Sequence, residues 1–161
     1  MIQWLLLFSR HGKIRLRKFF RVLPPAEKAK LTQEAMSTIL ARKSGMCNVV
    51  EYKEKKLIYR RYASLYFCMC VDSDDNELIT LEIIHRYVQS LDTYFGNVAE
   101  LDIIFHFQTA YQVLDELVVC GEMVESSHKE VNKIMKKIDE IEADAPPPQG
   151  SLIQQMQSIV G

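Results

Sequence analysis

The sequence holds no glycine-rich phosphate loop, no G-x-S-x-G elbow and no histidines at H-E-x-x-H or H-x-x-x-H spacing. These absences remove dinucleotide and P-loop chemistry, α/β-hydrolase chemistry and zinc-protease chemistry. Glycine and proline are sparse, at 6 and 5 residues of 161, so the chain is neither low-complexity nor collagen-like. No apolar run approaches the roughly 20 residues of a membrane span. The opening MIQWLLLFSRHGK breaks at Ser9 and Arg10, and it lacks the small-residue cleavage site of a secretory signal. Four cysteines (47, 68, 70 and 120) in such a chain read as reduced thiols, and a soluble, intracellular protein is expected. Acidic residues are missing from positions 1–26, which carry Arg10, Lys13, Arg15, Arg17, Lys18 and Arg21. A second basic group spans Lys53 to Arg61, and acids collect at 72–77 and 139–144. The net charge is only −1, so no global field draws the whole chain to nucleic acid or to an anionic membrane.

The remaining composition, 48% hydrophobic and 25% charged, is that of one folded domain. IQWLLLFS at 2–9 and KIRLRKFF at 13–20 read as a hairpin turned at Gly12. In the second strand, Ile14 and Leu16 are expected on one face and Lys13, Arg15 and Arg17 on the other. Pro24 and Pro25 open a helix whose stripe is Leu31, Ala35, Ile39 and Leu40. NVVEY at 48–52 and the long run 56–72 predict another hairpin, with the long run bending into two strands. A helix follows from 77 to Gly96, with Leu78, Leu81, Ile84, Val88 and Leu91 on its inner face. One helix is expected over 103–121 and another, highly charged, over 126–142. A Pro-rich tail at 143–161 completes the chain. The order β-β-α-β-β-β-α-α predicts an α+β domain over 1–142, a mainly antiparallel five-stranded sheet with helices on both faces. Covered faces explain why the central strands are apolar throughout.

Cys68 and Cys70 fall on one strand face about 7 Å apart, which fits a metal site, a redox pair or simple packing. Cys47 and Cys120 lack the paired spacing of a zinc site, and buried cysteine behaves as a small hydrophobe. His85 and His106 sit beside apolar helical positions and read as structural. No catalytic constellation emerges, and no metal or cofactor is called for. The remaining reading is a surface that binds a partner.

The segments YRRYASLYF (59–67), DNELITLEIIHRYV (75–88), YFGNVAELDIIF (94–105) and LDEL (114–117), followed by Cys120–Gly121–Glu122, carry a family likeness. On them, and on LLLFSRHGKIRL at the start, the chain resembles the sigma-type small subunit of clathrin adaptor complexes from residue 1 to about 135. YASLYF with NELITLEIIHRYV is similar to the trans-Golgi and endosomal type, where the plasma-membrane type more often reads YAGLYF and NNLAYLEAIHNFV. The resemblance implies a longin-like fold and a non-enzymatic core subunit packed against a gamma-type large chain. A beta-type large chain and a mu-type medium chain complete the heterotetramer. Clathrin and a small GTPase would be engaged through the complex, on trans-Golgi, endosomal and coated-vesicle membranes. With its large partner, such a subunit binds acidic dileucine signals of membrane cargo: an acidic residue, three of any kind, then Leu-Leu or Leu-Ile. By position, the leucine pocket falls on Ala63, Leu65, Val88, Val98 and Ile103, the peptide hydrogen bond on Asn97 and the cation on Arg15. Ile103 stands where leucine is commoner in the family. Ala63 and Leu65, two apart, are expected to share a strand face and floor the groove. The same shape also fits a coatomer zeta-like subunit or a tether. Apolar positions such as Trp4 are expected at the surface, awaiting the large chain.

Overall fold

The structure, a computed structural model, describes residues 1–119 together with 122–123, 136–137 and 139–140. Five strands are β1 (Ile2–Ser9), β2 (Ile14–Phe19), β3 (Val49–Tyr52), β4 (Lys55–Tyr62) and β5 (Leu65–Asp72). They form one antiparallel sheet in the order β2-β1-β5-β4-β3. Helix α1 (Pro25–Leu40) crosses one face; α2 (Glu77–Phe95), α3 (Glu100–Phe105) and α4 (Phe107–Leu117) cover the other. The last paired segments are β6 (Val118–Val119) and β7 (Glu122–Met123).

Two cores follow from the period of two along each strand. Trp4, Leu6, Phe8, Leu57, Tyr59, Cys68 and Cys70 meet Ala35, Met36 and Ile39 of α1. Leu5, Leu7, Ile58, Leu65, Phe67 and Met69 meet Ile84, Tyr87 and Leu91 of α2, with Ile103, Ala110 and Val113 behind. All eight residues of β1 are buried, as a central strand covered on both faces requires. The expected α+β sheet with helices on both faces is therefore observed.

Local chemistry explains the boundaries. Pro25 occupies the first turn of α1, where its missing N–H costs nothing. Asn76 caps α2, its Oδ1 accepting from the N–H groups of Leu78 and Ile79 at 2.9 and 3.2 Å. Gly96 ends α2 at φ 64°, a left-handed C-cap. Tyr111 on α4 ties the edge strand β2 to the helical layer, its hydroxyl donating to Arg17 O at 2.8 Å.

Several expectations change. The buried stripe of α2 is Thr80, Ile83, Ile84, Tyr87, Ser90 and Leu91, and Leu78 is 76% exposed. Apolar residues surround most of this helix, so spacing alone did not select the face. In α1, Thr32 and Met36 join Ala35 and Ile39 in the core, with Leu31 and Leu40 only half-buried. The helix expected over 103–121 begins at Glu100 and breaks at His106, whose φ −124° and ψ 44° are not helical. It ends at Leu117, because β-branched Val118 and Val119 pair with β7 instead. Trp4 is buried at 3% exposure, 6.1 Å from the Phe19 ring, so it is core rather than waiting interface. Of the helix expected over 126–142, residues 136–137 and 139–140 are described and helical; the rest, with the domain boundary and the 143–161 tail, lies outside the described residues.

Candidate functional site

At one end of the sheet, the β4–β5 turn, the middle of α2 and the start of α3 enclose a cavity of about 50 Å³. Ala63, Leu65, Val88, Val98 and Ile103 line it, so the structure brings these five together. Leu65 and Ile103 form a closed floor at 5% and 0% exposure, and Val88 and Val98 are half-buried walls. Ala63 does not share a strand face with Leu65. It sits in the two-residue turn between paired Tyr62 and Leu65, with φ 52°. The positive φ belongs to a tight hairpin and costs a residue bearing a Cβ. Ala63 thus forms the rim and Leu65 the floor.

Asn97 follows the Gly96 cap with φ 69° and is exposed beside Val98. Its backbone is pinned by Asp92, whose carbonyl accepts from Asn97 N–H at 3.2 Å and whose Oδ1 accepts from Val98 N–H at 2.9 Å. Asn97 does not itself line the cavity but precedes the lining residue Val98, and its side-chain amide makes no hydrogen bond among the described residues.

Arg15 reaches the site by a route that strict alternation excludes. Leu7 pairs with Leu16 and Phe8 with Ile14, so Arg15 is the extra residue of a β-bulge. A bulge bends the strand and re-aims a side chain. Arg15 therefore joins Leu16 on the α3 side, and its Nε donates to Glu100 Oε1 at 2.7 Å. Ile14, expected to share the Leu16 face, pairs with Phe8 across the bulge and is 40% exposed.

Glu100 lines the cavity and was not singled out from sequence. It is held twice, by Arg15 and by Ser64 Oγ, which donates to Oε2 at 2.9 Å. The Arg15 hydrogen bond, supported by Ser64, holds its carboxyl below the usual range against a smaller opposing effect of burial. A carboxylate thus already occupies Arg15, and it fastens α3 to the β4–β5 turn. Its position in the first turn of α3, beside five site residues, was the available signal.

The cysteine question resolves as packing. Cys68 and Cys70 face α1 at 0% and 2% exposure. Burial pushes the Cys70 thiol up to about 12 and raises Cys68 strongly, the reverse of an activated thiolate. Among the described residues no cluster of His, Cys, Asp and Glu could hold a metal. Cys120 lies outside the described residues. No described helix is long and apolar enough to cross a membrane.

Comparison with known proteins agrees with this architecture. The clathrin adaptor complex small chain family matches residues 1–143. The chain is 52% identical over 145 residues to AP-1 complex subunit sigma-1 of Saccharomyces cerevisiae, covering 89% of this chain and 93% of the relative. It is 51% identical over 139 residues to AP-1 complex subunit sigma-3 of Mus musculus, covering 86% and 90%. To AP-1 complex subunit sigma-1A of Homo sapiens it is 46% identical over 156 residues, covering 97% and 98%. In structure it is similar, with a TM-score of 0.68 and 28% identity over 88% of this chain and 95% of the other, to a chain in a homology model of the full-length AP-3 complex in a stretched open conformation. The likeness spans the sheet, both helical layers and the residues around the cavity, and the chain belongs to the clathrin adaptor complex small chain family, as a non-catalytic component.

Proposed function

We propose that this small chain serves an adaptor of the trans-Golgi and endosomal type and holds acidic dileucine signals of membrane cargo in the cavity between the β4–β5 turn, α2 and α3. The observation that carries this reading is one apolar cavity lined by Ala63, Leu65, Val88, Val98 and Ile103, with a cation linked to its wall. The leucines enter between Val88, Val98 and Leu65 over Ile103. The Asn97 amide takes a hydrogen bond from the extended peptide, and Arg15 faces the acidic residue.

The cavity sets a condition. At about 10–15 Å³ per water, 50 Å³ admits a few waters but not two leucine side chains. Binding must widen it, and the short α3 is the part of its frame joined to the β4–β5 turn through the Glu100 side chain. Glu100 closes that frame, so the signal's carboxylate takes Arg15 as the leucines enter. Burial of two leucines contributes roughly 3–6 kcal/mol, and the exchange of one carboxylate for another on Arg15 adds little. Association and peptide ordering oppose this with several kcal/mol. A single signal then binds at micromolar affinity or weaker, and stable recruitment comes from several contacts at once.

In the complex, the gamma-type large chain packs directly against this subunit, with beta-type and mu-type chains completing the tetramer and clathrin recruited through them. The test is peptide binding by the assembled complex carrying Val88→Asp. A charge in the apolar wall abolishes binding of an acidic dileucine peptide while the complex stays intact. Unchanged affinity would remove the cavity from cargo recognition.

A further inference from the structure

Charge is segregated along the strands. At the end formed by the start of α2 and the end of β5, acids are neutralised: Asp72 by Lys55 at 2.8 Å and Glu77 by Lys56 at 3.4 Å. At the opposite end, Arg10, Lys13, Arg42, Lys43, Arg60 and Arg61 make no ion pair with a carboxylate among the described residues. The β1–β2 turn, the β4–β5 turn and the loop after α1 meet at this end, with Arg60 on the α2 side of the sheet and Arg61 on the α1 side. Arg10 N–H donates to Ser64 O at 3.3 Å, and Gly12 packs beside Leu40 at the end of α1. Carboxylates at this end are already engaged: Glu100 by Arg15 and Ser64, Asp92 by Val98 N–H and Asp102 by Ala99 N–H.

Within that end lies a second cavity of about 320 Å³, between the loop after α1 and the exposed side of the β4–β5 hairpin. Its walls include Arg42, Lys43, Ser44, Asn48, Tyr59 and Arg61, and no acidic residue contributes to it. Two of the cations are held in place before any ligand arrives. Arg42 donates through Nε to the Tyr59 hydroxyl at 3.1 Å and through Nη2 to Cys47 O at 2.6 Å. Arg61 donates to Ala63 O at 3.0 Å and lies 5.8 Å over the Tyr66 ring. Lys43 is exposed at the edge, and Gly45, with φ 86°, turns the loop over the cavity.

We infer that this cavity is a binding site for the phosphorylated inositol headgroup of a membrane lipid. A fixed guanidinium pair and a flexible ammonium suit a multiply charged phosphate ester. Ser44, Asn48 and the tyrosine hydroxyl suit ring hydroxyls, and the volume lies within the range of small-molecule sites. Lipid is favoured over a soluble phosphate source by position, an inference that rests on the proposed cargo site. Arg61 is two residues from Ala63, so the headgroup cavity and the cargo cavity share one turn. A cargo tail leaves a membrane, and the end of the sheet that receives it faces that membrane. Arg10, Lys13 and Arg60 then meet anionic lipid around the site.

The experiment measures binding of the assembled complex to phosphatidylcholine vesicles containing phosphoinositide, or phosphatidylserine at matched charge. Phosphoinositide vesicles bind better, and soluble inositol trisphosphate competes where inorganic phosphate at equal concentration does not. Lys43→Glu, at an exposed side chain with no hydrogen-bonded partner among the described residues, lowers phosphoinositide vesicle affinity about five-fold or more. Solution binding of an acidic dileucine peptide, read without lipid, is unchanged by it. Arg61→Gln gives a vesicle loss in the same direction. Undiminished vesicle binding in both variants overturns the site, as does a parallel loss of peptide binding in Lys43→Glu. A phosphotyrosine peptide that displaces the complex better than inositol trisphosphate overturns the lipid assignment. A wild-type complex that binds no dileucine peptide, yet shows the Lys43→Glu vesicle effect, refutes the cargo reading and leaves the headgroup site standing.

Discussion

Replacing Glu100 by glutamine tests whether the cargo cavity is held shut from within. Glu100 and Arg15 are 22% and 23% exposed, so their 2.7 Å pair is only partly screened by solvent. Such a pair is worth on the order of 1 kcal/mol, and a signal that needs Arg15 must give that up before gaining its own pair. Glutamine keeps the shape and a weak hydrogen bond to Ser64 but no longer competes as a charge. The expected result is an approximately five-fold gain in affinity for an acidic dileucine peptide, measured by calorimetry or fluorescence polarisation on the assembled complex. A peptide with alanine in place of its acidic residue must open the same frame to seat its leucines, so it gains by a similar factor while remaining the weaker of the two ligands. Because Arg15 depresses the Glu100 pKa, the pair's stability is present above the unfolded carboxylate range and lost as pH falls through the lower folded value. The closure is therefore fully in place at neutral pH. A loss of affinity for the acidic peptide in Glu100→Gln would refute the reasoning. It would mean that Glu100 orients Arg15, whose other guanidinium N–H groups then receive the signal.

Three further outcomes follow from local geometry. Ala63→Gly removes the Cβ from a residue at φ 52° and should stabilise the fold by up to about 1 kcal/mol; a lower denaturation midpoint contradicts this. Ser90 is fully buried on α2, and its hydroxyl has no partner among the described residues. Ser90→Ala should then gain about 1 kcal/mol in chemical denaturation, because an unpaired hydroxyl leaves the core. Native alkylation at neutral pH should label exposed Cys47 and spare Cys68 and Cys70, with both reacting after unfolding.

How far the chain was legible before its fold differs between elements for physical reasons. β1 and β5 were readable because two covered faces demand unbroken apolar runs, and IQWLLLFS and LYFCMC supply them. The ends of α2 were readable in part, since Gly96 marks its stop, while the capping role of Asn76 was not singled out. Its buried face was not readable. Leu78 and Ile79 are outside while Thr80 and Ser90 are inside, because three-dimensional packing chose among apolar options that spacing left equal. The break at His106 has no glycine or proline to announce it.

The cargo cavity shows the same limit more sharply. Leu65, Val88, Val98 and Ile103 were placed by resemblance, and the fold brings them to one wall and floor. Arg15 arrived there against the alternation that assigned it to the other face. One inserted residue shifted the register between Leu7 and Phe8, and no pattern of residue types in IRLRKF encodes that shift. Glu100 escaped notice for a related reason. A carboxylate in the first turn of a helix looks like an ordinary partner of the helix dipole, and only the contact with Arg15, 85 residues away in the chain, gives it a second role. Positions that depend on short-range periodicity can be read from sequence. The residues that control opening of the cavity depend on a bulge and a long-range ion pair, so they require the fold.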